Sequence, residues 1–445
     1  MQVRFLPGEP GDYRLQTEDA MSLQAGQVGQ GPVVVVLAAG AGLRMHSSRS
    51  KLLHTVGGHS LLRHTMEAVE ALDPGQVVVV VGFGKDDVRA HLAEIAPGAT
   101  IVVQESPVGT GDAVLVGLQQ LGELADDAVV VVTCGDLPLL AGATLQAMAG
   151  AHRRDCDGAT VLAPGDSDEA GAYVFDFGPL HAALETATEQ GLHALADVVT
   201  VMSASVKVGE YIVADEWQTR SVDDRTQLAA VSAEYNRRLI EDWMRAGVTV
   251  VDPAGTWIEA DVDLAPDVTL LPGVQLMGAT SVAAGATIGP DTTIKDSEVG
   301  ERAVVTRSTV DLAMIGPDAT IGPYARLRPG SQIGANGVVG TFVETKNSIL
   351  GDGARLGHLV YCGDTTLGDG VDVGAGVVFA NWDSTNRARI VVGERAVIGA
   401  GSLIVPPASV EADAVVPPGT ITGTIRRLDG DEATEAAKRR LEEDQ

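Results

Sequence analysis

The sequence predicts two folds in series, an α/β domain followed by a parallel β-helix. Between residue 33 and about residue 235, short β-branched runs alternate with helical stretches, which is typical of a parallel sheet covered by helices on both faces. From about residue 262, apolar residues recur at every sixth position, a period that neither a helix nor a strand produces. A length of 445 residues allows two or three domains, each with its own core.

In chain order, these patterns divide the sequence into five predicted parts. They are a loose N-terminal extension (1–31), the α/β domain (32–229), a helical linker (230–260), the β-helix (261–424) and a charged C-terminal tail (425–445).

The α/β domain is predicted from continuous apolar runs. Such runs indicate strands buried on both faces of a sheet. The predicted strands are Val33–Leu37, Val77–Val81, Ile101–Val103, Val129–Thr133 and Thr160–Leu162.

The β-helix is predicted from hexapeptide periodicity. Ile315, Ile321, Leu327, Ile333 and Val339 follow one another at steps of six. In a triangular solenoid, each six-residue side directs one aliphatic side chain inward, and three sides complete a coil. Glycine often follows the inward residue, where the backbone turns.

Bulk composition excludes several classes of function. A formal net charge of −29 opposes non-specific binding to nucleic acid or to an anionic membrane. No apolar run reaches the roughly 18 residues of a membrane span, and the N-terminus lacks the pattern of a secretory signal. Three scattered cysteines without metal-binding spacing favour a reducing, cytoplasmic compartment.

A glycine turn after the first strand predicts a phosphate site. The stretch "LAAGAGLRMHSSRSKLLH" contains Gly40 and Gly42, followed by Arg44 and Lys51. Backbone amides at such a turn point outward, and no Cβ blocks the approach of an anion. The alternative is a tight strand–helix turn that carries surface cations.

Later loops add a base-reading stretch and two carboxylates. Gln104, Gly109 and Thr110 follow a strand, where an amide and a backbone edge can read a base. Asp136 follows a buried strand, at the edge of an open α/β sheet where ligands bind, and suits Mg²⁺. Asp223 is a candidate second metal ligand. The alternatives are a helix N-cap for Asp136 and an ordinary loop acid for Asp223.

Over residues 33 to about 424, these motifs resemble the bifunctional N-acetylglucosamine-1-phosphate uridyltransferase/glucosamine-1-phosphate acetyltransferase family. The resemblance implies an α/β Rossmann-like nucleotidyltransferase domain followed by a left-handed parallel β-helix. It implies a nucleoside triphosphate substrate, UTP in the family, with Mg²⁺ held by Asp136 and Asp223. The implied nucleotide-binding residues are Gly40, Gly42, Arg44, Lys51, Gln104, Gly109 and Thr110.

The first domain departs from the family at several positions. Ser50 replaces a proline, Leu43 a threonine and Asp112 a histidine. Between Leu162 and Gly171, only "APGDSDEA" stands where the family has a long excursion that holds the sugar. Missing hydrogen-bond partners for a substrate's hydroxyls weaken discrimination strongly. We therefore expect uridylyl transfer to be weak, absent or redirected.

In the second half, the resemblance implies acetyl transfer. His358 corresponds to the general base, Glu344 to the carboxylate that orients it and Asn381 to a group near the thioester. An ammonium must lose its proton before it attacks a thioester, and imidazole titrates in the right range. The implied sugar- and phosphate-binding residues are Arg328, Lys346, Tyr361, Asp372 and Arg387, and the implied acetyl-CoA contacts are Ala400 and Pro418.

The same residues have structural alternatives. His358 is then a solenoid corner residue, Arg328 and Lys346 are surface cations, and Asn381 belongs to a turn. Asp372 and Arg387 replace an asparagine and a lysine of the family, so the acceptor amine is open.

The sequence thus predicts an acetyl-CoA-dependent N-acetyltransferase acting on glucosamine-1-phosphate or a related phosphorylated amine, fused to a nucleotidyltransferase-like domain. The alternatives are a fully bifunctional enzyme that makes UDP-N-acetylglucosamine, a nucleotidyltransferase for another phosphorylated small molecule, and a non-catalytic regulatory paralogue. The resemblance also implies a homotrimer.

Overall fold

The structure is a computed structural model that describes residues 31–106, 108–163, 170–382 and 387–422. Most of the predicted N-terminal extension, the whole predicted tail and most of the shortened sugar segment lie outside these residues. Within the described ranges, no helix is long and apolar enough to cross a membrane.

The first domain is a seven-stranded sheet in the order β5-β4-β1-β6-β8-β7-β9, beside a small β2–β3 hairpin. Its strands are β1 Val33–Ala38, β2 Thr55–Val56, β3 His59–Ser60, β4 Gln76–Val81, β5 Thr100–Val103, β6 Val129–Cys134, β7 Ala159–Leu162, β8 Ala172–Asp176 and β9 Val208–Tyr211.

Helices cover both faces of this sheet. They are α1 Leu61–Glu70, α2 Lys85–Ile95, α3 Thr110–Leu118, α4 Gly142–Asp155, α5 Phe177–Glu189, α6 Leu195–Met202 and α7 Arg225–Arg245, with short 3₁₀ turns at Leu43–Met45, Lys51–Leu53 and Glu216–Thr219.

Strand β1 shows why continuous apolar runs predicted a two-faced sheet. Val34 and Val36 pack into one hydrophobic cluster, and Val33 and Val35 pack into another on the opposite face. Alternate side chains of a strand point to opposite faces, so a strand between two helical layers needs apolar residues at every position.

The sheet is parallel, as predicted, except at β8, a strand that the apolar runs did not identify. β8 runs antiparallel to both β6 and β7, while the other pairs of the sheet are parallel. A parallel crossover takes about a dozen residues or more, and the connection formed by residues 163–171 is shorter. The chain therefore returns beside β7 in the opposite direction.

The second domain is a three-sided prism of parallel strands, with sheets of ten, ten and nine strands. The first side contains Thr249–Val250, Thr269–Leu270, Thr287–Ile288, Val304–Val305, Thr320–Ile321, Val338–Val339, Arg355–Leu356, Asp372–Val373, Val397–Ile398 and Val415–Val416. The second side contains Trp257–Ile258, Gln275–Met277, Thr293–Lys295, Thr309–Asp311, Arg326–Leu327, Glu344–Lys346, Tyr361–Gly363, Val378–Phe379, Leu403–Ile404 and Ile421–Thr422. The third side contains Asp263–Leu264, Ser281–Val282, Glu298–Val299, Met314–Ile315, Gln332–Ile333, Ile349–Leu350, Thr365–Leu367, Ile390–Val392 and Ser409–Val410.

The inward residues of the prism are those that the six-residue period selects. Ile315, Ile321, Leu327, Ile333 and Val339 are all buried and belong to one continuous core. The predicted fold class is confirmed: a Rossmann-like α/β domain precedes stacked parallel sheets of the left-handed β-helix type.

Helix α7 connects the two domains, and its bounds differ from the predicted linker. The side chain of Asp224 accepts a hydrogen bond from the Gln227 amide at 2.8 Å, and Gln227 Oε1 accepts one from the Asp224 amide at 3.2 Å. This capping box starts the helix at Arg225. The prism's first strand already begins at Thr249, inside the predicted linker 230–260.

A buried asparagine of α7 covers the open edge of the first coil. Asn236 Nδ2 donates to the carbonyl of Thr256 at 2.8 Å, and Asn236 Oδ1 accepts from the amide of Ile258 at 3.0 Å. Its side-chain amide thus makes the two hydrogen bonds that a further strand would have made. The Ala260 amide also donates to the Gly57 carbonyl of the first domain at 2.8 Å.

Candidate functional site

The centre of the first domain is an amine held between two carboxylates. Lys51 Nζ donates to Asp136 Oδ2 and, at 2.8 Å, to Asp223 Oδ1. Burial alone would lower the pKa of Lys51, but the two carboxylates outweigh burial and hold that pKa above its ordinary range. Lys51 is therefore a permanent cation between the two predicted metal ligands.

This cluster opens into a cavity of about 530 Å³. The cavity lies at the carboxyl ends of β1 and β6, where parallel α/β sheets bind ligands. The predicted residues that line it are Gly40, Arg44, Lys51, Gln104, Gly109, Thr110, Asp136 and Asp223. Thr219 and Ser221 also line it, and the sequence analysis did not single them out.

The two predicted metal ligands fit a divalent cation. Asp136 is buried, and among the described residues its Oδ1 atom has no hydrogen-bond partner. Asp223 also binds Arg44 at 3.0 Å, and although burial opposes it, the bond from Lys51 lowers the pKa of Asp223. Carboxylate oxygens are the ligands that Mg²⁺ takes in proteins.

At two of the predicted glycines, Gly42 and Gly109, any larger residue would clash with its neighbours. Gly42 is left-handed (φ 58°), and a Cβ there would lie 2.9 Å from the Cβ of Lys51. Gly42 is not among the cavity-lining residues, so it shapes the turn that places Lys51. At Gly109, a Cβ would lie 2.2 Å from the carbonyl oxygen of His193.

His193 is a neighbour of the base-reading stretch that the sequence analysis missed. Its Nδ1 lies 2.8 Å from Asp112, and its carbonyl accepts from the Gly111 amide at 2.8 Å. Gln104 Nε2 donates to the Gly109 carbonyl at 3.3 Å. His193 lies more than 80 residues along the chain, and no local pattern marks it as a partner.

The serine that replaces the family's proline keeps a proline-like backbone. Ser50 has φ −53° and ψ 138°, close to the angle that a pyrrolidine ring imposes. It is 1% exposed, and its hydroxyl has no hydrogen-bond partner among the described residues.

In the prism, most of the predicted sugar-binding residues share the second side. Glu344 is in register with Tyr361 in the next coil, and Thr345 between Glu344 and Lys346 points into the core. The Arg328 amide donates to the Thr345 carbonyl, which places Arg328 one coil before Lys346. Arg328, Lys346 and the Tyr361 phenol thus flank Glu344 on the outer surface. Partial burial raises the pKa of Tyr361.

The expected hydrogen bond between Glu344 and His358 does not form within the described part of one chain. Glu344 Oε1 instead accepts from Arg328 Nη1 at 2.9 Å. His358 is exposed at the corner that precedes the second side, whereas Glu344 projects from that side itself.

His358 lies in a row of residues that follows this corner of the prism. Backbone hydrogen bonds between successive coils define this row. The Gly376 amide donates to the His358 carbonyl, the Gly401 amide to the Ala375 carbonyl and the Gly419 amide to the Ala400 carbonyl. The corner row is therefore His358, Ala375, Ala400 and Pro418. Before Gly376, the corner positions are the exposed apolar residues Tyr324, Phe342 and Leu359.

Asn381 is positioned by a carboxylate that the sequence analysis missed. Its Nδ2 donates to Asp364, which also accepts from Asn347 Nδ2. Arg389 Nη2 in turn donates to the Asn347 carbonyl at 2.8 Å. Asp364 lies one coil before Asn381, a placement that only the coil register reveals.

The two remaining predicted contacts, Asp372 and Arg387, are placed differently. Asp372 is on the first side, in register with Arg355 and Val397, so the structure does not place it beside Tyr361. Arg387 forms an isolated antiparallel bridge with Trp382, around residues that lie outside the described ranges.

Comparison with known proteins agrees with this architecture. Residues 34–205 match the family of MobA-like NTP transferase domains. The chain is 41% identical over 416 residues to the bifunctional protein GlmU of Pseudarthrobacter chlorophenolicus, covering 85% of each chain. It is 44% identical over 390 residues to that of Cutibacterium acnes, covering 78% of this chain and 93% of the other. It is 39% identical over 449 residues to that of Streptomyces coelicolor, covering 89% and 93%.

The matched domain, the cavity around Lys51 and the prism define a transferase in which a nucleotidyltransferase fold precedes a hexapeptide β-helix. Identity over most of the chain then settles the family. The chain belongs to the bifunctional GlmU family, and the resemblance inferred from its motifs is confirmed.

Proposed function

We propose that the prism transfers an acetyl group from acetyl-CoA to the amine of glucosamine-1-phosphate or a related phosphorylated amine. The observation that carries this proposal is the corner row. His358, Ala400 and Pro418 were expected to contact reactants, and they follow one edge of the prism. From Gly376 onward, glycine replaces bulky side chains at the neighbouring corner positions, and we place the channel for an extended coenzyme along this edge.

The chemistry follows from the side chains around this channel. The imidazole of His358 takes a proton from the substrate ammonium, and the freed amine attacks the thioester carbonyl. The C–S bond then breaks, and the thiolate of coenzyme A leaves and is protonated. Arg328 and Lys346 hold the phosphate, and Asn381 donates to the oxyanion.

We propose that the acetyl-transfer site is completed by a neighbouring copy in a homotrimer. Tyr324, Phe342 and Leu359 are each more than half exposed and form an apolar ridge beside His358. Tyr324 and Phe342 stack at 5.3 Å, and all three have a positive φ, which is unfavourable for bulky side chains. A neighbouring prism on this ridge would bury it and bring its own groups to His358. Sedimentation equilibrium should give three times the chain mass, and a monomer would overturn the trimer.

We propose that the first domain transfers a nucleotidyl group, from UTP by family membership, with Mg²⁺ at Asp136 and Asp223. When bound, the metal would neutralise charge on the triphosphate. Lys51 and Arg44 bind phosphate oxygens, while an acceptor phosphate attacks the α-phosphorus and pyrophosphate leaves.

One observation favours an acceptor other than N-acetylglucosamine-1-phosphate. Only residues 163–171 connect β7 to β8, where the family has its sugar-holding excursion. The fully bifunctional enzyme is the second candidate, and the relatives are named bifunctional. We also propose a cytoplasmic location, consistent with three cysteines that are scattered along the sequence without metal-binding spacing.

Two incubations test these proposals. Acetyl-CoA with glucosamine-1-phosphate should release free thiol, and His358→Ala should abolish that release while the exposed control His181→Ala keeps it. Each nucleoside triphosphate should then be incubated with a panel of sugar and non-sugar phosphates and analysed by mass spectrometry. Ordinary turnover of UTP with N-acetylglucosamine-1-phosphate would overturn the changed acceptor. A His358→Ala variant equal to the parent would overturn the base assignment.

A further inference from the structure

A second group of metal-type ligands lies where the first domain meets the prism. His59 begins the second strand of the β2–β3 hairpin, and His64 and Glu67 lie three residues apart on α1. Both imidazoles are only 7% exposed. Residues three apart on a helix share a face, so His64 and Glu67 point the same way, toward His59.

The Nε2 atom of each imidazole is hydrogen-bonded to an oxygen that can only accept. His64 Nε2 lies 2.9 Å from the Val56 carbonyl, and His59 Nε2 lies 2.9 Å from Asp261 Oδ1. Each Nε2 therefore carries the hydrogen, and in the neutral ring each Nδ1 keeps a lone pair. Metal-binding histidines are held in this way, by a backbone carbonyl or a carboxylate on the far nitrogen.

Both free nitrogens face the same carboxylate. His59 Nδ1 lies 3.2 Å from Glu67 Oε1, and His64 Nδ1 lies 4.0 Å from Glu67 Oε2. The three donor atoms lie within 4.8 Å of one another, and they would close in on a bound Zn²⁺, whose tetrahedral ligands stand roughly 3.3 Å apart. Without an ion, His59 Nδ1 pairs with Glu67 Oε1, and a metal bound there would take the place of the proton on that nitrogen.

We propose that His59, His64 and Glu67 bind a divalent transition metal of the Zn²⁺ type. Two imidazoles and one carboxylate suit such an ion, whereas Mg²⁺ prefers oxygen ligands. The site is thus chemically distinct from the pair Asp136 and Asp223. Asp261 acts as a positioning residue, which braces His59 from the prism side.

The neighbouring side chains define the surroundings of this site. Arg63 Nε donates to Glu67 Oε1 at 2.9 Å and leaves Oε2 for the metal. Tyr235 packs edge-on against the His64 ring at 5.0 Å and closes the apolar side. The side chains of Glu67 and Asp261 are about half exposed, so the ion has a path from solvent and water can complete its coordination.

The site joins two domains, because its ligands belong to the first domain and their brace belongs to the prism. The Ala260 amide, next to Asp261, also donates to the Gly57 carbonyl of the hairpin. A bound ion would therefore fix α1 against the first coil.

The test uses the full chain carrying Asp136→Asn, so that the other metal site is disabled, after dialysis against a chelator. Titration with Co²⁺ should bring a visible absorption band that saturates at one equivalent per chain, and Zn²⁺ should abolish it by displacement. His59→Gln and Glu67→Gln should each lose the band. Asp261→Asn should weaken binding by about 10- to 100-fold.

His181→Gln is the matched control, because His181 also lies near a glutamate, at 3.9 Å from Glu185, but outside this site; this variant should bind Co²⁺ as the parent does. Absence of the band in the parent, or an unchanged band in Glu67→Gln, would overturn the site. Glu67 is half exposed, so Glu67→Gln decides the question even where His59→Gln fails to fold, as judged by circular dichroism. Acetyl transfer and nucleotidyl transfer are not read out here.

Discussion

Ser50 provides a prediction at the scale of one residue. Its backbone already has a proline-like φ, and its buried hydroxyl has no partner among the described residues. Ser50→Pro should therefore raise the free energy of unfolding by about 0.5–1 kcal/mol, because it restricts the unfolded chain and removes an unsatisfied polar atom. Urea denaturation measures this change.

Ser50→Ala is the control, since it removes the hydroxyl without fixing φ. If Ser50→Ala raised the free energy of unfolding as much as Ser50→Pro does, the effect would come from the hydroxyl alone. A lower free energy of unfolding for Ser50→Pro would refute the backbone argument.

Lys51 provides the second prediction. Lys51→Met leaves Asp136 and Asp223 facing each other without their shared cation and removes a phosphate ligand. Nucleotidyl transfer should fall at least about 100-fold, and the free energy of unfolding should fall by roughly 3 kcal/mol. Steady-state rates and denaturant midpoints measure the two effects.

Lys85→Met is the matched control, because Lys85 pairs with Glu105 on the surface. It should change stability by less than about 0.5 kcal/mol. Equal effects from the two lysines would contradict the bridging role of Lys51.

Residue identities were predictable where chemistry depends on one position, and not where it depends on a distant partner. The glycine turn and Lys51 form one recognisable pattern after a strand, and Asp136 stands in another, directly after a later strand. His193 and Asp364 carry no such pattern, because their partners are set by chain packing and coil register. The pairing of Glu344 with His358 stays a prediction: within the described part of one chain, Glu344 accepts from Arg328, and His358 lies at the neighbouring corner.

At the scale of elements, helix α7 is fastened to the first domain by an ion pair. Arg238 donates to both oxygens of Asp215, at 2.7 and 2.9 Å. These bonds lower the pKa of Asp215. A carboxyl whose folded-state pKa is lowered stabilises the fold above its unfolded pKa, near 3.8, and loses that effect as pH falls through the folded value.

Asp215→Asn should therefore lower the free energy of unfolding by about 1 kcal/mol at pH 7, since partial exposure screens the pair. The difference from the parent should shrink as pH falls below about 4. Denaturation at a series of pH values measures it. Asp242→Asn, in an exposed pair with Arg245, should have little effect at any pH. A difference for Asp215→Asn that persists at pH 2 would exclude the ion pair as its cause.

Elements with a clear repeat of apolar residues in the sequence were predictable. The direction of a strand and the first residue of a helix were not, because they depend on connection length and capping. The strands β1, β4 and β6 follow β-branched runs, and the prism follows its hexads. The direction of β8 depends on the short 163–171 connection, and the start of α7 depends on the capping box at Asp224.

At the scale of the whole molecule, the two domains have separate cores. Phe379 is fully buried inside the prism, so Phe379→Ala should lower the stability of that domain by about 3–5 kcal/mol. Calorimetry should show two transitions, of which Phe379→Ala lowers one and Lys51→Met lowers the other.

Val378→Ala is the control, because its side chain is outward and it should cost less than about 1 kcal/mol. A single transition that both Phe379→Ala and Lys51→Met lower equally would mean that the domains unfold as one unit.

Asn236 has a consequence for how the prism exists in a crowded cell. A stack of parallel strands ends in a row of unpaired amides and carbonyls, which invites another stack to dock end to end and lengthen into a filament. Asn236 satisfies both the Thr256 carbonyl and the Ile258 amide with one side chain, and so blocks such end-to-end docking on the second side of the prism.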